Sequence, residues 1–313
     1  MVFQELIRKA LTTDPSVFKF EVIDPIIADM LNYENPLRQN LPRKKGSGSV
    51  YTVKRRQSLG TSGAAWVSDT DSISEATGTY SSVSFEYKTI ATRGRVSRKL
   101  IAEGKDYFDL LSEEIEAKTN EFKVVEEDAY INANAVDTEP KKPLGLIKQL
   151  SDTGRVINLY SGGASAALTL QALDRALDEC KGTPSLIIMS KAMRRKLQSL
   201  LQVYQRWIDK TEVKGGFRVL AYNEIPVLVS SAISDEYQVN ASGIVGLTGG
   251  DSSAIFVINT DEVFVAELTP VTIQPLAKTT TQYDEFEIVC DETLVLRNPE
   301  TCVMVIGVNP HAE

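Results

Sequence analysis

The feature that most constrains this chain is a long two-stranded excursion that runs directly into a long amphipathic helix. The outgoing arm is Ser49-Val50-Tyr51-Thr52-Val53-Lys54-Arg55-Arg56, and the return arm runs from Tyr80 to Ile90. Between them lies a Gly/Ser/Thr/Asp-rich stretch holding one large apolar side chain, Trp66. Val83, Phe85 and Tyr87 alternate with Ser82, Ser84, Glu86 and Lys88, the period of a half-buried strand. A lone two-stranded ribbon is marginal in water, and its open edges invite pairing. This one carries too little apolar surface to make a core by itself. The expectation is that it lies on another copy of the chain, which points to assembly rather than catalysis.

After the ribbon the period becomes helical. From about Lys105 to Asn132, Phe108, Leu111, Ile115, Phe122, Val125 and Ala129 recur at helical spacings and make one apolar stripe, with Lys118 where another apolar residue would fit. Asp106 and Asp109 suit the positive end of the helix dipole. Glu126, Glu127 and Asp128 oppose its negative end by roughly a few tenths of a kcal/mol each, a cost that an adjacent cationic surface would offset. Consecutive helical residues point in different directions, so these three carboxylates make a charge cluster rather than a cation site.

Residues 1–45 read as an arm. A short helix is expected from Phe3 to Leu11, and Ile23, Ile26, Ile27, Met30 and Leu31 offer a second apolar patch. Prolines break the arm at Pro15, Pro25, Pro36 and Pro42, and it ends in Arg43-Lys44-Lys45. Residues 133–166 read as loops with a short strand. A compact α/β unit follows: a helix through Leu168–Cys180, a buried strand at Ser185–Met189, and a helix capped by Ser190 and carrying Met193, Leu197, Leu200, Leu201 and Tyr204. Strands dominate from Gly216, with candidates at Phe217–Tyr222, Ile225–Val229, Gly243–Leu247, Ala254–Ile258, Val263–Leu268, Phe286–Leu296 and Cys302–Val308.

Composition narrows the function class. A chain of 313 residues with 42% hydrophobic content builds a sizeable core and suggests two domains. A net charge of −8 disfavours a general nucleic-acid binder. No apolar run reaches the roughly 18–20 residues that span a bilayer, and the start lacks a signal-peptide core. Cys180, Cys290 and Cys302 are too widely spaced for a zinc motif and read as buried free thiols in a reducing cytosol. The one histidine, His311, stands third from the end, which excludes a Ser-His-Asp triad in the core and multi-histidine metal sites. No phosphate-binding glycine motif is present.

The succession of arm, ribbon, long helix, α/β unit and closing strands resembles the major capsid proteins of tailed bacteriophages with the Hong Kong 97-type fold, which encapsulin shells share. The resemblance is carried by Ala65-Trp66-Val67 with the acidic turn through Asp69, Asp71 and Glu75, by Val83-Ser84-Phe85-Glu86-Tyr87-Lys88, by Arg95-Val96-Ser97-Arg98-Lys99-Leu100-Ile101, and by Glu126-Glu127-Asp128-Ala129-Tyr130-Ile131. Pro143-Leu144-Gly145-Leu146, Ile187-Ile188-Met189-Ser190 and Ile225-Pro226-Val227-Leu228-Val229 add to it. Asn132-Ala133-Asn134 departs from the Gly-x-Gly common in the family at that place. The resemblance implies an α+β fold with an N-terminal arm at 1–45, an extended E-loop hairpin at 46–92, a peripheral domain with the spine helix at 93–160, an α/β axial domain at 161–262, and return strands of the peripheral domain at 263–313. It implies a non-enzymatic shell subunit without cofactors, forming the pentamers and hexamers of an icosahedral virion capsid. The shell would be assembled in the host cytoplasm away from any membrane. The implied partners are portal, scaffolding and decoration proteins, and packaged double-stranded DNA held without sequence specificity. The arm is too short for the scaffolding extension of some members, so scaffolding is expected to be a separate protein or unnecessary. No lysine lies between Lys54 and Lys88, so the covalent Lys–Asn crosslink of some members is not expected.

Candidate intersubunit residues follow. Lys54, Arg55 and Arg56 on the ribbon, with Arg93, Arg95 and Arg98 after its return, are cations that meet Glu113, Glu114, Glu126, Glu127 or Asp128 of a neighbour, face solvent, or touch packaged DNA. Trp66 is an interface anchor or folds back on its own ribbon. Two alternatives to a viral shell stand beside this reading: an encapsulin-like nanocompartment for cargo enzymes, and a small-molecule enzyme on the α/β unit.

Overall fold

The computed structural model describes residues 35–60, 66–72, 75–104, 110–203, 209–212, 218–276 and 282–312. The helix expected at Phe3–Leu11, the apolar patch at 23–31 and Phe108 lie outside these residues. Along the chain, helix α1 (Pro36–Asn40) and strand β1 (Arg43–Lys45) precede the ribbon strands β2 (Val50–Arg56) and β3 (Tyr80–Glu86). Strand β4 (Lys88–Ser97) runs into α2 (Arg98–Gly104), and the long helix α3 covers Leu110–Asn132. Then come α4 (Leu146–Asp152), β5 (Val156–Asn158), β6 (Ala166–Ala167), α5 (Leu170–Glu179), β7 (Leu186–Met189), α6 (Lys191–Val203) and β8 (Asp209–Glu212). Strands β9 (Arg218–Tyr222), β10 (Ile225–Val229), β11 (Gln238–Asn240), β12 (Gly243–Gly246), β13 (Ser253–Ile258), β14 (Val263–Pro275), β15 (Tyr283–Leu296) and β16 (Val303–Asn309) follow.

The larger sheet has the order β5-β16-β13-β7-β10-β9-β8, with β6 also on β16. Its central strands β7, β13 and β16 are buried on both faces, as continuous apolar runs such as Leu186–Met189 require. Alternate residues feed two cores. Ile187, Met189, Ile255, Val257, Val303 and Val305 meet Leu173 and Ala176 of α5 and Met193 and Leu197 of α6. Ile188, Phe256, Ile258, Met304 and Ile306 face the end of α3, helix α4 and the smaller sheet. Thr169 caps α5 by accepting from the Ala172 amide, and Ser190 caps α6 by accepting from the Met193 amide at 3.2 Å, as the sequence predicts for Ser190.

The smaller sheet has the order β1-β14-β15-β4. The return arm of the ribbon therefore does not continue unbroken to Ile90. Residues 80–86 pair with β2 from Val50↔Glu86 to Arg56↔Tyr80, the chain turns at Tyr87, and β4 pairs with β15 from Lys88↔Glu292 to Ser97↔Tyr283. Strands β14 and β15 pair with each other, and β15 with β4, so both lie in the sheet that holds β4. The last strand does not: β16 sits between β13 and β5 in the larger sheet. Residues 303–308 are buried on both faces, which suits the interior of a large sheet and not the edge of a half-exposed one.

Helix α4 falls where the sequence reads only loops and a short strand, because seven residues are too few to display a helical period. Gly145 allows it to start against the end of α3: a Cβ there would lie 2.8 Å from the Ile131 carbonyl oxygen and 2.9 Å from that of Ala133. Asn134 takes the left-handed backbone conformation (φ 58°) that glycine would otherwise supply after the helix, and its amide group donates to the Pro143 carbonyl at 2.9 Å. Gln149 of α4 donates to the carbonyls of Leu144 (2.7 Å) and Leu294 (3.1 Å) and accepts from the Leu296 amide (3.2 Å). Truncating it leaves three backbone groups unpartnered. Gln149→Ala is expected to lower the unfolding free energy by about 3 kcal/mol in urea titration; a change below about 0.5 kcal/mol, the scale of a neutral surface substitution, would contradict this role.

Candidate assembly interface

The ribbon divides into a seated base and a free tip. One face of β2 and β3 presents Tyr51, Val53, Val83 and Phe85, and Val53 and Phe85 are buried against Phe264 and Ala266 of β14 and Val295 of β15. Tyr51 meets the Phe264 ring edge-on at 5.6 Å, and the Lys44 ammonium lies 3.8 Å above the same ring. Arg55 donates to the carbonyls of Leu296 (2.6 Å) and Arg297 (2.9 Å). The expectation that the ribbon finds all its burial on another copy is therefore corrected at the base. A row of four apolar residues meets a matching row on its own smaller sheet, and a buried Val or Phe contributes about 1.5–3 kcal/mol.

Beyond Arg56 the support ends. The Arg56 guanidinium lies 5.3 Å over the Tyr80 ring, and the Gln57 amide donates to the Thr79 carbonyl at 2.8 Å. Leu59 is 76% exposed and Trp66 104% exposed, with Val67 and Tyr80 also in solvent. Asp71 accepts from the Ser68 amide at 2.9 Å and closes a turn beside Trp66. The tip thus presents an indole next to Asp69, Asp71 and Glu75, all exposed. Large unpartnered apolar side chains of this kind mark contact surfaces.

The C-terminal end of α3 binds the arm. Glu126 and Glu127 are buried to within 1%. Glu126 pairs with Arg38 and with Arg43 and accepts from the Tyr130 hydroxyl at 2.9 Å. Arg43 also pairs with Glu267 and lies 3.4 Å from Glu292. Glu127 accepts from the backbone amides of Leu37 (3.2 Å) and Arg38 (3.3 Å), at the start of α1, and from the Ser230 hydroxyl (3.0 Å). Asn132 donates to the Ala232 carbonyl at 2.8 Å and accepts from Tyr237 at 2.6 Å. The arm, α3, both sheets and the loop after β10 meet here. Glu127 rises to about 7 because burial outweighs these three hydrogen bonds; Glu292 is also raised, by burial first, against the Arg43 guanidinium.

The sequence-predicted residues are not brought together as one surface. Glu126 and Glu127, expected to meet a neighbour's cations, are taken up inside their own chain, because the cationic surface that offsets the helix dipole is the arm's Arg38 and Arg43. Asp128 is half-buried and accepts from Asn132 at 2.8 Å. Arg93 pairs with Glu285 of the same chain, and the Arg95 guanidinium lies 5.3 Å over Tyr283. Lys54, Arg56, Trp66, Arg98 and Glu113 are exposed, and Glu114 is half-buried. Val125, placed by its spacing on the buried stripe, is 48% exposed; the neighbouring position is held instead by Glu126. Sequence reasoning missed Arg38, Tyr130, Glu267 and Glu292. The one signal for them was the acidic helix end beside a basic arm.

Glu267, Cys290 and Glu292 bring three ligand-type atoms within 4.8 Å of one another. They do not suit a metal. The Arg43 guanidinium already supplies the positive charge, and burial raises the Cys290 thiol well above its ordinary value, so it stays protonated. All three cysteines are free and buried. His311 lies exposed at the chain end. No described helix is long and apolar enough to cross a membrane.

Residues 17–309 match the family described as SU10 major capsid protein. No curated protein sequence matches the chain. Among solved structures, the fold is similar to the holo-SrpI encapsulin complex of Synechococcus elongatus PCC 7942, at 11% identity and TM-score 0.66 over 98% of this chain and 96% of that one. It is similar to the capsid of the native GTA particle, at 14% identity and TM-score 0.66 over 96% and 98%. It is similar to a structure from Mycobacterium phage Bobi, at 13% identity and TM-score 0.64 over 93% and 96%. These likenesses establish the Hong Kong 97-type fold.

The arm junction predicts a pH dependence. Glu127 titrates at about 7 in the folded chain against an ordinary value of 4.5. A raised carboxylate contributes stability that is full below the unfolded value and lost as pH rises through the folded one. Between pH 4.5 and 7 the loss from this group is expected to reach about 3 kcal/mol. Urea titrations of wild type and Glu127→Gln across that window measure it: the variant should be flatter, and parallel curves would contradict the assignment.

Proposed function

Because the chain belongs to the SU10 major capsid protein family, we propose that it is the subunit of an icosahedral virion shell that encloses double-stranded DNA. The observation that carries this reading is the division of the ribbon. Its base is fixed to the smaller sheet by Val53, Phe85 and Arg55, while its tip holds a fully exposed tryptophan. A rigid projection with an unburied anchor suits a contact that one copy makes with the next, and a closed symmetric assembly repeats each such contact many times. The larger sheet with α5 and α6 serves as the axial domain around the symmetry axes, and α3 with the smaller sheet as the peripheral domain. Pentamers and hexamers, a portal, and separate scaffolding or decoration proteins complete the particle, which is assembled in the host cytoplasm. The acidic chain, at −8, suits a container that holds DNA without binding its sequence. The role is structural.

An encapsulin-like compartment is the second reading, favoured by the likeness to the SrpI encapsulin complex. Electron microscopy of the purified protein is expected to show closed shells or tubes; discrete small particles at every concentration would contradict both readings. Nuclease-protected DNA in particles isolated from the host favours the virion, and protein cargo favours the compartment.

The seated base carries its own prediction. Phe85→Ala removes the larger of the two buried side chains on the ribbon's apolar face, a change that costs about 3–5 kcal/mol where a core phenylalanine is lost. Here the cost is capped by release of the ribbon, so the body stays folded. Faster proteolysis between residues 57 and 79, with a severalfold drop in shell yield, is the expected result. Normal shell yield would show that the base need not be seated.

A further inference from the structure

The arm is fastened to the body at two points of unlike chemistry. At β1, Arg43 pairs with Glu126, Glu267 and Glu292, and just beyond the strand the Gly46 amide donates to the Glu267 carbonyl at 2.7 Å. At α1 the fastening is Glu127, fully buried, which accepts from the Leu37 and Arg38 amides and the Ser230 hydroxyl. Among the described residues no cation pairs with Glu127, because Arg38 turns its guanidinium to Glu126. The other titratable groups around it bring no positive charge: Asp128 and Tyr130 on α3, Glu267 on β14, Cys290 and Glu292 on β15, and Asp235 and Tyr237 after β10. Lys88, Lys141 and Lys142 line a separate cleft with Glu126 and Glu292, which Glu127 does not reach, and Lys88 and Lys142 pair there with Glu86 and Glu139. A buried carboxylate without a counter-charge favours its neutral form, and Glu127 accordingly titrates at about 7.

We propose that Glu127 is a proton-operated latch for the arm: while it carries its proton α1 stays docked, and when it loses the proton α1 and the residues before it leave the body, with β1 left in place. Three features of the junction make the response local. An open cleft of about 510 Å³ is lined by Asn35, Asp128 and Ser231, each the sequence neighbour of a residue at the latch, so solvent stands close to the buried carboxylate. Of α1 itself only Pro36 and Leu37 are buried, and the chain passes from it through Leu41 in extended backbone (φ −75°, ψ 133°) to Pro42, a natural hinge. Release also strands no other charge, since Arg43 remains on Glu126 when Arg38 departs. The sign follows from the raised carboxylate. The docked state is favoured at low pH, and the opening equilibrium rises about tenfold per pH unit between about 5 and 7, then levels off.

Hydrogen exchange of the full chain from pH 5 to pH 8, read on peptides 36–42, 43–48 and 253–258 and corrected for the intrinsic rate, tests this. Peptide 36–42 holds the Leu37, Arg38 and Leu41 amides, 43–48 holds β1 and Gly46, and 253–258 is β13 in the middle of the larger sheet. Protection of 36–42 is expected to stand below that of 253–258 throughout, and to fall about tenfold per unit between pH 5 and pH 7. At pH 7 and above, 43–48 should stay better protected than 36–42. Glu127→Gln should abolish the pH slope in 36–42, and Glu292→Gln, which alters the other buried carboxylate with a raised value, should leave it. Equal protection in 36–42 and 253–258 would mean that α1 leaves only when the whole chain unfolds. Joint loss in 36–42 and 43–48 would mean that the arm leaves as one piece. Either result, a slope that survives Glu127→Gln, or a slope lost in Glu292→Gln would overturn the latch without touching the shell reading.

Discussion

Two adjacent buried carboxylates at the end of α3 hold the rest of the molecule in place. An unpaired carboxylate inside a protein is several kcal/mol unfavourable, and removing one partner of a buried pair typically costs about 3–5 kcal/mol. Glu126 and Glu127 meet this condition by recruiting groups distant in sequence: Arg38 and Arg43 from the arm, two amides at the start of α1, and Ser230 after β10. Through Arg43 the network extends to Glu267 and Glu292 on the paired strands β14 and β15. The arm enters its sheet as β1 beside β14 because Arg43 is fixed there. Where β14 and β15 lie decides in turn where Phe264, Ala266 and Val295 await the ribbon. The direction in which the ribbon leaves the body is thus set by charge pairing some distance from it.

That geometry gives the ribbon two jobs. Its base behaves as part of the core, and its tip as a surface waiting for a partner. A ribbon loose at both ends would lose much conformational entropy on every contact. One fixed at the base brings Trp66 to a neighbour with most of that loss already taken in folding. Exposed charges along it are individually worth only about 0–1 kcal/mol, so the apolar anchor must supply the larger share of each contact, with charge deciding which surface it meets.

Much of this was legible in the sequence. Alternation gave the ribbon, helical spacing gave most of α3, and Ser190 marked the start of α6. The pattern of elements gave the fold family, which the match to residues 17–309 bears out. What was not legible had physical causes. Glu126 and Glu127 read as surface because charge ordinarily stays wet; pairing of Glu126 with arginines about 85 residues away in sequence, and hydrogen bonds to Glu127 from two arm amides and Ser230, reverse that. Val125 read as core because periodicity cannot tell which of two neighbouring stripes a helix buries. Helix α4 is too short to show a period. Residues 303–308 betray burial on both faces but not which sheet supplies it. Arg55 and Arg93 read as intersubunit cations because their acceptors, the Leu296 carbonyl and Glu285, lie near the far end of the chain.

The most direct test is a side-chain-resolution density map of the assembled particle. The account predicts Val53 and Phe85 still packed on Phe264 of their own chain, and Trp66 enclosed by residues of another. A map in which Trp66 stands in solvent, or in which Val53 and Phe85 have moved onto a neighbouring subunit, would contradict it.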